Sequence, residues 1–167
     1  DRCPAAWLLL FFCSRAIPAA EGLRNDVPFA EHIHRRFTRL EGLPCNWIND
    51  LIQTRDGYIW IGTDNGLVRF DGTRFRLFKE SNSQLPFDEI RVLYEDTDGS
   101  IWIGTTRGVA RYTLGQPSRL EPVPAFSGRT VFAFFRDSRG TLWVGTMEET
   151  FVSDSDGSGE RGFRRLQ

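Results

Sequence analysis

Methionine is nearly absent: the 167 residues contain one, and the first residue is Asp1. The reading is that the start of the coding region is missing from this chain. A charge excess is also lacking, since 21 Lys and Arg stand against 22 Asp and Glu, for a net charge of −1. That balance excludes the basic surplus that a nucleic-acid binder carries. The apolar run Ala5–Cys13 has nine residues, far short of the roughly 20 that a membrane-crossing helix needs. Cysteines number three, and only Cys45 lies beyond the first twenty residues, where a single thiol can form neither an internal disulfide nor a Cys-rich zinc site. Disorder is excluded by the 40% hydrophobic share, which suffices for a core.

The run Ala5–Cys13 follows Arg2 and precedes the small-residue stretch Ala16-Ile17-Pro18-Ala19-Ala20. A basic flank, a short apolar core and a small-residue exit predict a secretory signal peptide over 1–20, cut after Ala20. Ser14-Arg15-Ala16 is a second site of the right pattern. Phe11-Phe12 before Cys13 argues against a lipoprotein anchor, which wants small residues there. Cys3 and Cys13 would leave with the leader. Cys45 would remain, as a small buried residue rather than a reactive one. Residues 21–36 read as a linker.

What the chain has in surplus is aromatics, with five Trp and 14 Phe, and three of the tryptophans recur in register. Gly57-Tyr58-Ile59-Trp60-Ile61-Gly62-Thr63 is followed by Gly99-Ser100-Ile101-Trp102-Ile103-Gly104-Thr105, then by Gly140-Thr141-Leu142-Trp143-Val144-Gly145-Thr146. The tryptophans lie 42 and 41 residues apart. Leu43-Pro44 and Leu85-Pro86 precede the first two copies; Ile48, Ile90 and Val131 open equivalent apolar stretches. Within one copy the period is two, which means strands. The first copy predicts strands at Ile48–Thr54, Tyr58–Thr63, Leu67–Phe70 and Arg74–Phe78. Asn65-Gly66 and Asp71-Gly72 are expected to supply positive φ angles for tight hairpins.

Four strands in a repeat of 40 to 50 residues is the signature of a propeller blade. The fold class is therefore all-β, a partial β-propeller of about three four-stranded antiparallel blades in an open arc. Alternation places Tyr58, Trp60 and Gly62 on one face, with Ile59, Ile61 and Thr63 on the other. Trp60, Trp102 and Trp143 are expected to bury their rings against the adjacent blade. Gly62, Gly104 and Gly145 would let backbones approach closely there. Gly57, Gly99 and Gly140 would turn the chain before each of these strands. The divisions read 37–47 as an outer strand and lead-in, 48–78 as blade 1, 79–115 as blade 2, and 116–167 as blade 3 with a degenerate continuation.

The pattern Asp-x-x-Gly-x-x-Trp-Ile-Gly-Thr-x-x-Gly-Leu, with its Leu-Pro lead-in, resembles the two-component regulator propeller repeat. Thr54–Gly72 is the best match, and Phe37–Pro44 is similar to the first strand of such a domain. The resemblance spans Phe37 to Thr146. It implies a seven-bladed propeller outside the inner membrane, in a receptor whose cytoplasmic half is a histidine kinase, a hybrid two-component protein or a diguanylate cyclase. The implied partners are an extracytoplasmic ligand (some relatives sense carbohydrate fragments), the remaining blades, and a membrane-spanning output module. Glu149-Thr150 departs from the pattern, standing where Gly66-Leu67 and Gly108-Val109 stand. Because Glu resists positive φ, that hairpin is expected to change or be lost. After Phe151 the pattern dissolves.

Catalytic, cofactor and metal constellations are not expected. Asp154-x-Asp156-x-Ser158-Gly159 opens like a calcium loop, but its twelfth position is Arg165 rather than the bidentate Glu required. Asp96-x-Asp98-Gly99 has Ile101 where that loop needs Gly. His32-x-His34 lacks a third ligand nearby. Gly62-Thr63-Asp64-Asn65-Gly66 has neither the Gly-Lys-Ser/Thr ending of a phosphate loop nor a following helix. Arg35-Arg36 and Arg161, Arg164 and Arg165 read as solvated or edge-protecting charges.

The function expected is the ligand-sensing propeller portion of a membrane signalling receptor, periplasmic and without its output domain. The alternatives are a secreted propeller enzyme, lyase or glycosidase-like, or an interaction scaffold. Asp137–Trp143 is loosely like the Asp-box turn of sialidases, with one residue too many between Asp and Gly. Propellers close with about four to eight blades, so three blades predict that the 167 residues are a piece of a longer chain.

Overall fold

The structure, a computed structural model, describes residues 8–11, 34–115, 118–153 and 162–166. Three four-stranded antiparallel sheets make up the repeat region. The first holds β3 (Ile48–Gln53), β4 (Ile59–Thr63), β5 (Gly66–Phe70) and β6 (Phe75–Phe78). The second holds β7 (Ile90–Glu95), β8 (Ile101–Thr105), β9 (Gly108–Thr113) and β10 (Arg119–Val123). β11 (Val131–Arg136), β12 (Leu142–Thr146), β13 (Thr150–Ser153) and β14 (Phe163–Arg165) form the third. Each is a simple meander, so each sheet order follows the chain order. Before them, β1 (Leu8–Phe11), inside the stretch expected as an export leader, pairs antiparallel with β2 (His34–Phe37), so a cut after Ala20 would remove the partner strand of β2.

The sheets stack as propeller blades, with β3 packed beside β7 and β7 beside β11. These first strands form the inner edge; β6, β10 and β14 form the outer one. Each first strand carries a register irregularity at the same place, leaving Asn49, Arg91 and Phe132 as bulged residues. A bulge bends and twists its strand, which suits strands that crowd together at the inner edge. Asn49 ties two blades, its Nδ2 donating 2.7 Å to Asp64 Oδ1 and 2.7 Å to the Ile90 carbonyl. Asp50 adds a second tie, its Oδ2 accepting the Leu93 N–H at 2.7 Å.

Three apolar clusters follow from the period-two pattern. Trp60, Leu67 and Phe78 of the first sheet meet Ile101, Ile103, Ala110 and Tyr112 of the second. Trp102 and Val109 on the second sheet's other face meet Leu142, Val144 and Phe151 of the third. Ile61, Val68 and Phe70, facing away from the second sheet, are covered by Phe37 and Leu43. Both faces of the central sheet are thus buried, which is why its β8 reads as five buried residues in succession.

The structure moves several expected boundaries. The second sheet runs on through β10, so a division at 115/116 cuts its last strand away; Pro122 and Glu121 hide that strand from an apolar-periodicity reading. The strand expected within 37–47 is His34–Phe37, followed by a 3₁₀ turn over Arg39–Glu41. Thr38 and Glu41 close that turn with a capping box. The hairpin after β4 has Asp64-Asn65 as its two-residue loop, and only Gly66 there has positive φ, +124°. Among the described residues no position other than glycine has positive φ, so Asn65 does not supply it. Asp71-Gly72 sits in a four-residue connection between Phe70 and Phe75 rather than a two-residue one.

The third copy keeps its hairpin. Thr146 N–H donates to the Glu149 carbonyl at 2.9 Å, and the Thr146 hydroxyl donates to the same oxygen at 2.8 Å. Thr63 and Thr105 make the same hydroxyl contact to Gly66 and Gly108, at 2.7 and 2.9 Å. The threonine closes the loop in all three blades, so glycine is dispensable at position 149. A fourth strand, β14, also completes this sheet although its sequence has lost the repeat pattern.

Candidate functional site

The residues singled out by the repeat converge on the interfaces between blades, and the chemistry there is richer than hydrophobic packing. Trp60 and Trp102 are 0% and 1% exposed. Trp60 packs against Phe78 and Tyr112, with ring centroids 5.7 and 4.8 Å away. Trp102 meets Phe134 and Phe163 at 6.2 and 5.9 Å. Trp143 is only half-buried. The close approach expected at the glycines holds for two of them. A Cβ on Gly62 would lie 2.8 Å from Ile90 Cγ2, and one on Gly104 would lie 2.6 Å from Val92 Cγ1 and 3.1 Å from Val131 Cγ1. On Gly145 it would meet only Ala133, at 3.4 Å. Gly57, Gly99 and Gly140 occupy the turns before the tryptophan strands, with φ of +88°, +81° and +83°.

Two sets of polar residues at these interfaces escape a reading based on tryptophan and glycine alone. The first is an aspartate six residues before the tryptophan. Asp96 Oδ2 accepts the Trp102 indole N–H at 3.0 Å, and Asp137 Oδ2 accepts that of Trp143 at 3.0 Å. Asp96 is also gripped by Arg136 of the next blade, Nε to Oδ1 at 2.6 Å and Nη2 to Oδ2, in a buried bidentate pair. Burial pushes the Asp96 carboxyl up, but Arg136, the Thr97 N–H and the Trp102 indole outweigh it and hold the group below the ordinary aspartate value. The Trp143 indole, followed by the Thr141 N–H, lowers Asp137 in the same direction.

In the first blade the equivalent residue is Thr54. Its hydroxyl turns away to Asp56 Oδ1 at 2.5 Å, and the buried Trp60 Nε1 is left without a hydrogen-bond partner. The residue in the place of Arg136 is Glu95, since both pair with the first residue of the following strand. Glu95 accepts the Arg55 N–H at 3.0 Å. The first interface has therefore exchanged both halves of the Asp–Arg pair together.

The second set is an arginine nine residues after the tryptophan. Arg69 lies over the Tyr58 ring at 4.3 Å and donates to the Tyr112 hydroxyl of the next blade at 3.1 Å. Arg111 covers Trp102 at 5.2 Å and is fixed by Ser100 and Asp98. A guanidinium over an aromatic face contributes about 0.5–2 kcal/mol, the more so when desolvated. Val152 takes this place opposite Trp143. The sequence signal was available in Arg69 and Arg111, at the same offset in both copies.

The other sequence candidates are dispersed. Asp154–Asp156 and His32 lie outside the described residues, and His34 begins β2. Arg165 pairs with Glu149 at 2.6 Å. Cys45 is buried, its sulfur accepting the Trp47 N–H at 3.4 Å. Among the described residues no group of three or more His, Cys, Asp or Glu is placed to hold a metal ion. No described helix is long and apolar enough to cross a membrane.

Comparison with known proteins agrees with this geometry. Residues 42–65, 84–107 and 125–148 each match the family model described as the two component regulator propeller. These three stretches are two component regulator propeller repeats. Among curated proteins it is similar to Histidine kinase P4 of Formosa agariphila, 33% identical over 49 residues, which is 29% of this chain and 4% of that protein. Among solved structures it is similar to the extracellular domain of BT3049 from B. thetaiotaomicron, described as a hybrid two component system. That match has a TM-score of 0.60 at 24% identity and covers 73% of this chain and 17% of the other. The extracellular domain of BT4673 from the same organism, described as a one component system, matches with a TM-score of 0.64 at 22% identity. It covers 78% of this chain and 18% of the other. This chain thus spans a small part of the length of each relative.

Proposed function

We propose that the chain is part of the extracytoplasmic, ligand-sensing propeller of a membrane signalling receptor of the two-component kind. The observation that carries this reading is the set of three two component regulator propeller repeats folded as stacked blades. In the proposed receptor, residues 1–20 are an export leader, further blades complete the propeller, and a membrane-spanning segment joins it to a cytoplasmic output module, a histidine kinase or diguanylate cyclase. A histidine kinase among the relatives and the extracellular domains among the similar structures support this arrangement. The mechanism follows from population shift: a ligand that binds one arrangement of the blades more tightly than another biases the output by that difference in affinity. Carbohydrate fragments are the first ligands to try.

Topology is tested by fusing alkaline phosphatase, which is active only outside the cytoplasm, after Gln167 of the native reading frame. High phosphatase activity is expected, with a β-galactosidase fusion at the same point inactive. The reverse pattern would remove the reading. Autophosphorylation or cyclic diguanylate synthesis by the full-length receptor, measured with and without oligosaccharides, then tests sensing.

A further inference from the structure

We propose that the cleft at the outer rim between the first and second sheets binds the oxyanion of a small ligand, a carboxylate, sulfate or phosphate group, held by Arg76, Arg119 and the Tyr112 hydroxyl. The proposal is independent of the receptor reading, because both walls of the cleft belong to the first two sheets.

The cleft exists because the two interfaces are filled differently at their outer ends. In the third sheet Phe163 packs beside Trp102 and Phe126, with ring centroids 5.9 and 4.6 Å away. Leu120 has that place in the second sheet, pairing with Tyr112 as Phe163 pairs with Ser153. The shorter side chain leaves a depression of about 320 Å³ between β6 and β10. Arg76 and Phe78 line one wall, and Tyr112, Arg119, Leu120 and Glu121 the other.

The charge around this cleft is unbalanced. Arg69 and Arg76 are cross-strand partners on β5 and β6, and like charges directly opposite each other are destabilising. At the second interface the same two places hold Arg111 and Glu121, and Arg111 also has Asp98 at 2.6 Å. Asp56 is the counterpart of Asp98, but its Oδ1 accepts the Thr54 hydroxyl and the Tyr58 N–H instead, at 2.5 and 3.4 Å. No described carboxylate comes within ion-pair distance of Arg69 or Arg76. Arg119 has Glu121 at 2.8 Å, in a pair that is largely in solvent. Three guanidiniums thus stand against one carboxylate, in a chain whose net charge is −1.

The donors are also short of an acceptor. Tyr112 is 2% exposed. Its oxygen accepts Arg69 Nη1 at 3.1 Å, and its own proton meets no described acceptor. The Arg76 guanidinium lies over the Phe78 ring at 5.0 Å, which fixes it at the cleft. A buried hydroxyl proton beside two guanidiniums calls for a group that only accepts. An oxyanion is that group, and its hydrogen bonds to arginine are charge-assisted. A neutral hydroxyl leaves the arginine charge unanswered, and a cation is repelled. Because the donors come from both sheets, the bound anion ties the first sheet to the second.

Equilibrium dialysis of the full chain against radiolabelled sulfate, phosphate and acetate at fixed ionic strength tests the proposal. Saturable binding of one anion per chain is expected. Tightest binding of acetate would assign a carboxylate ligand, and tightest binding of sulfate or phosphate a tetrahedral one. Arg76→Gln and Arg119→Gln should each weaken binding about tenfold or more. Leu120→Phe, which fills the cleft as Phe163 fills its counterpart, should abolish binding with the circular dichroism spectrum unchanged. Arg139→Gln, at an exposed arginine outside the cleft, should bind as the parent does. Absence of saturable binding for all three anions would overturn the proposal. So would full binding in Leu120→Phe, or a loss in Arg139→Gln equal to that in Arg76→Gln.

Discussion

The exchange of Asp–Arg for Thr–Glu between the two blade interfaces allows a double substitution whose sign reverses with the partner. In Thr54→Asp alone, the new carboxylate can accept the Trp60 indole, which is now buried without a partner. It also enters a buried position beside Glu95 and near Asp56, with no cation supplied by the next blade. An unpaired buried charge outweighs one added hydrogen bond, so this variant should lose about 1–3 kcal/mol at neutral pH. Glu95→Arg alone forfeits the carboxylate that accepts the Arg55 N–H and sets two cations together, a loss of about 0.5–1 kcal/mol. Combined, the two recreate the arrangement of Trp102, Asp96 and Arg136. Satisfying the orphaned indole restores about 1–3 kcal/mol, so the double variant should equal or exceed the parent by about 1–2 kcal/mol. If the double variant only equals the parent, the coupling energy is the sum of the two single losses, about 1.5–4 kcal/mol, and it is larger by whatever the double variant gains over the parent. Thermal unfolding of the four proteins measures it, at roughly 2–4 °C per kcal/mol for a chain of this size. Additive losses in the double variant would refute the equivalence of the two interfaces.

Other consequences are more local. Arg136→Met should strand the Asp96 carboxylate, costing about 3–5 kcal/mol, and denaturant titration with Asp96→Asn/Arg136→Met as the relieved control checks it. Asp96, Asp98 and Asp137 are all held below the ordinary aspartate value, and Asp71 is lowered to about 2 by the N–H of Arg74 and by Thr73. Their stabilisation is therefore present above the unfolded pKa of about 3.9 and lost as pH falls through the lower folded values. Acid unfolding should set in below about pH 4. In Arg136→Met the Asp96 contribution should reverse sign, because burial without the guanidinium raises that carboxyl, so the variant's deficit against the parent should shrink as pH falls; circular dichroism against pH reads both. Thr105→Val removes the hydroxyl that closes a hairpin onto the buried Gly108 carbonyl and should cost about 1–2 kcal/mol. Unchanged stability there would show that the hairpin needs no such closure.

The blades were legible in the sequence because their signal is periodic in two ways. Alternation fixed the strand faces, and the spacing of Trp60, Trp102 and Trp143 fixed the unit; Trp60 and Trp102 are buried between sheets as that spacing requires. β10 and β14 were not legible, because an outer strand buries little and need not alternate: Pro122 sits comfortably at an edge. The third hairpin changes at Glu149, with no positive φ there and its return strand starting only at Thr150, but it is not lost, because the Thr146 hydroxyl still closes the loop. Asp96, Arg136, Thr54 and Glu95 were hidden for a different reason. Their partners lie about 40 residues away, one blade on, and only stacking brings the two positions together.

The central claim is that tryptophan faces and close glycine contacts hold the blades together, and that the third such face has no covering sheet among the described residues. Comparing Gly104→Ala with Gly145→Ala in the 167-residue chain tests it most directly. The account predicts a loss of about 1–3 kcal/mol for Gly104→Ala, where the added Cβ lands 2.6 Å from Val92 Cγ1 and 3.1 Å from Val131 Cγ1. For Gly145→Ala it predicts a change within about 0.5 kcal/mol. Equal losses at the two positions, or no loss at Gly104, would contradict it.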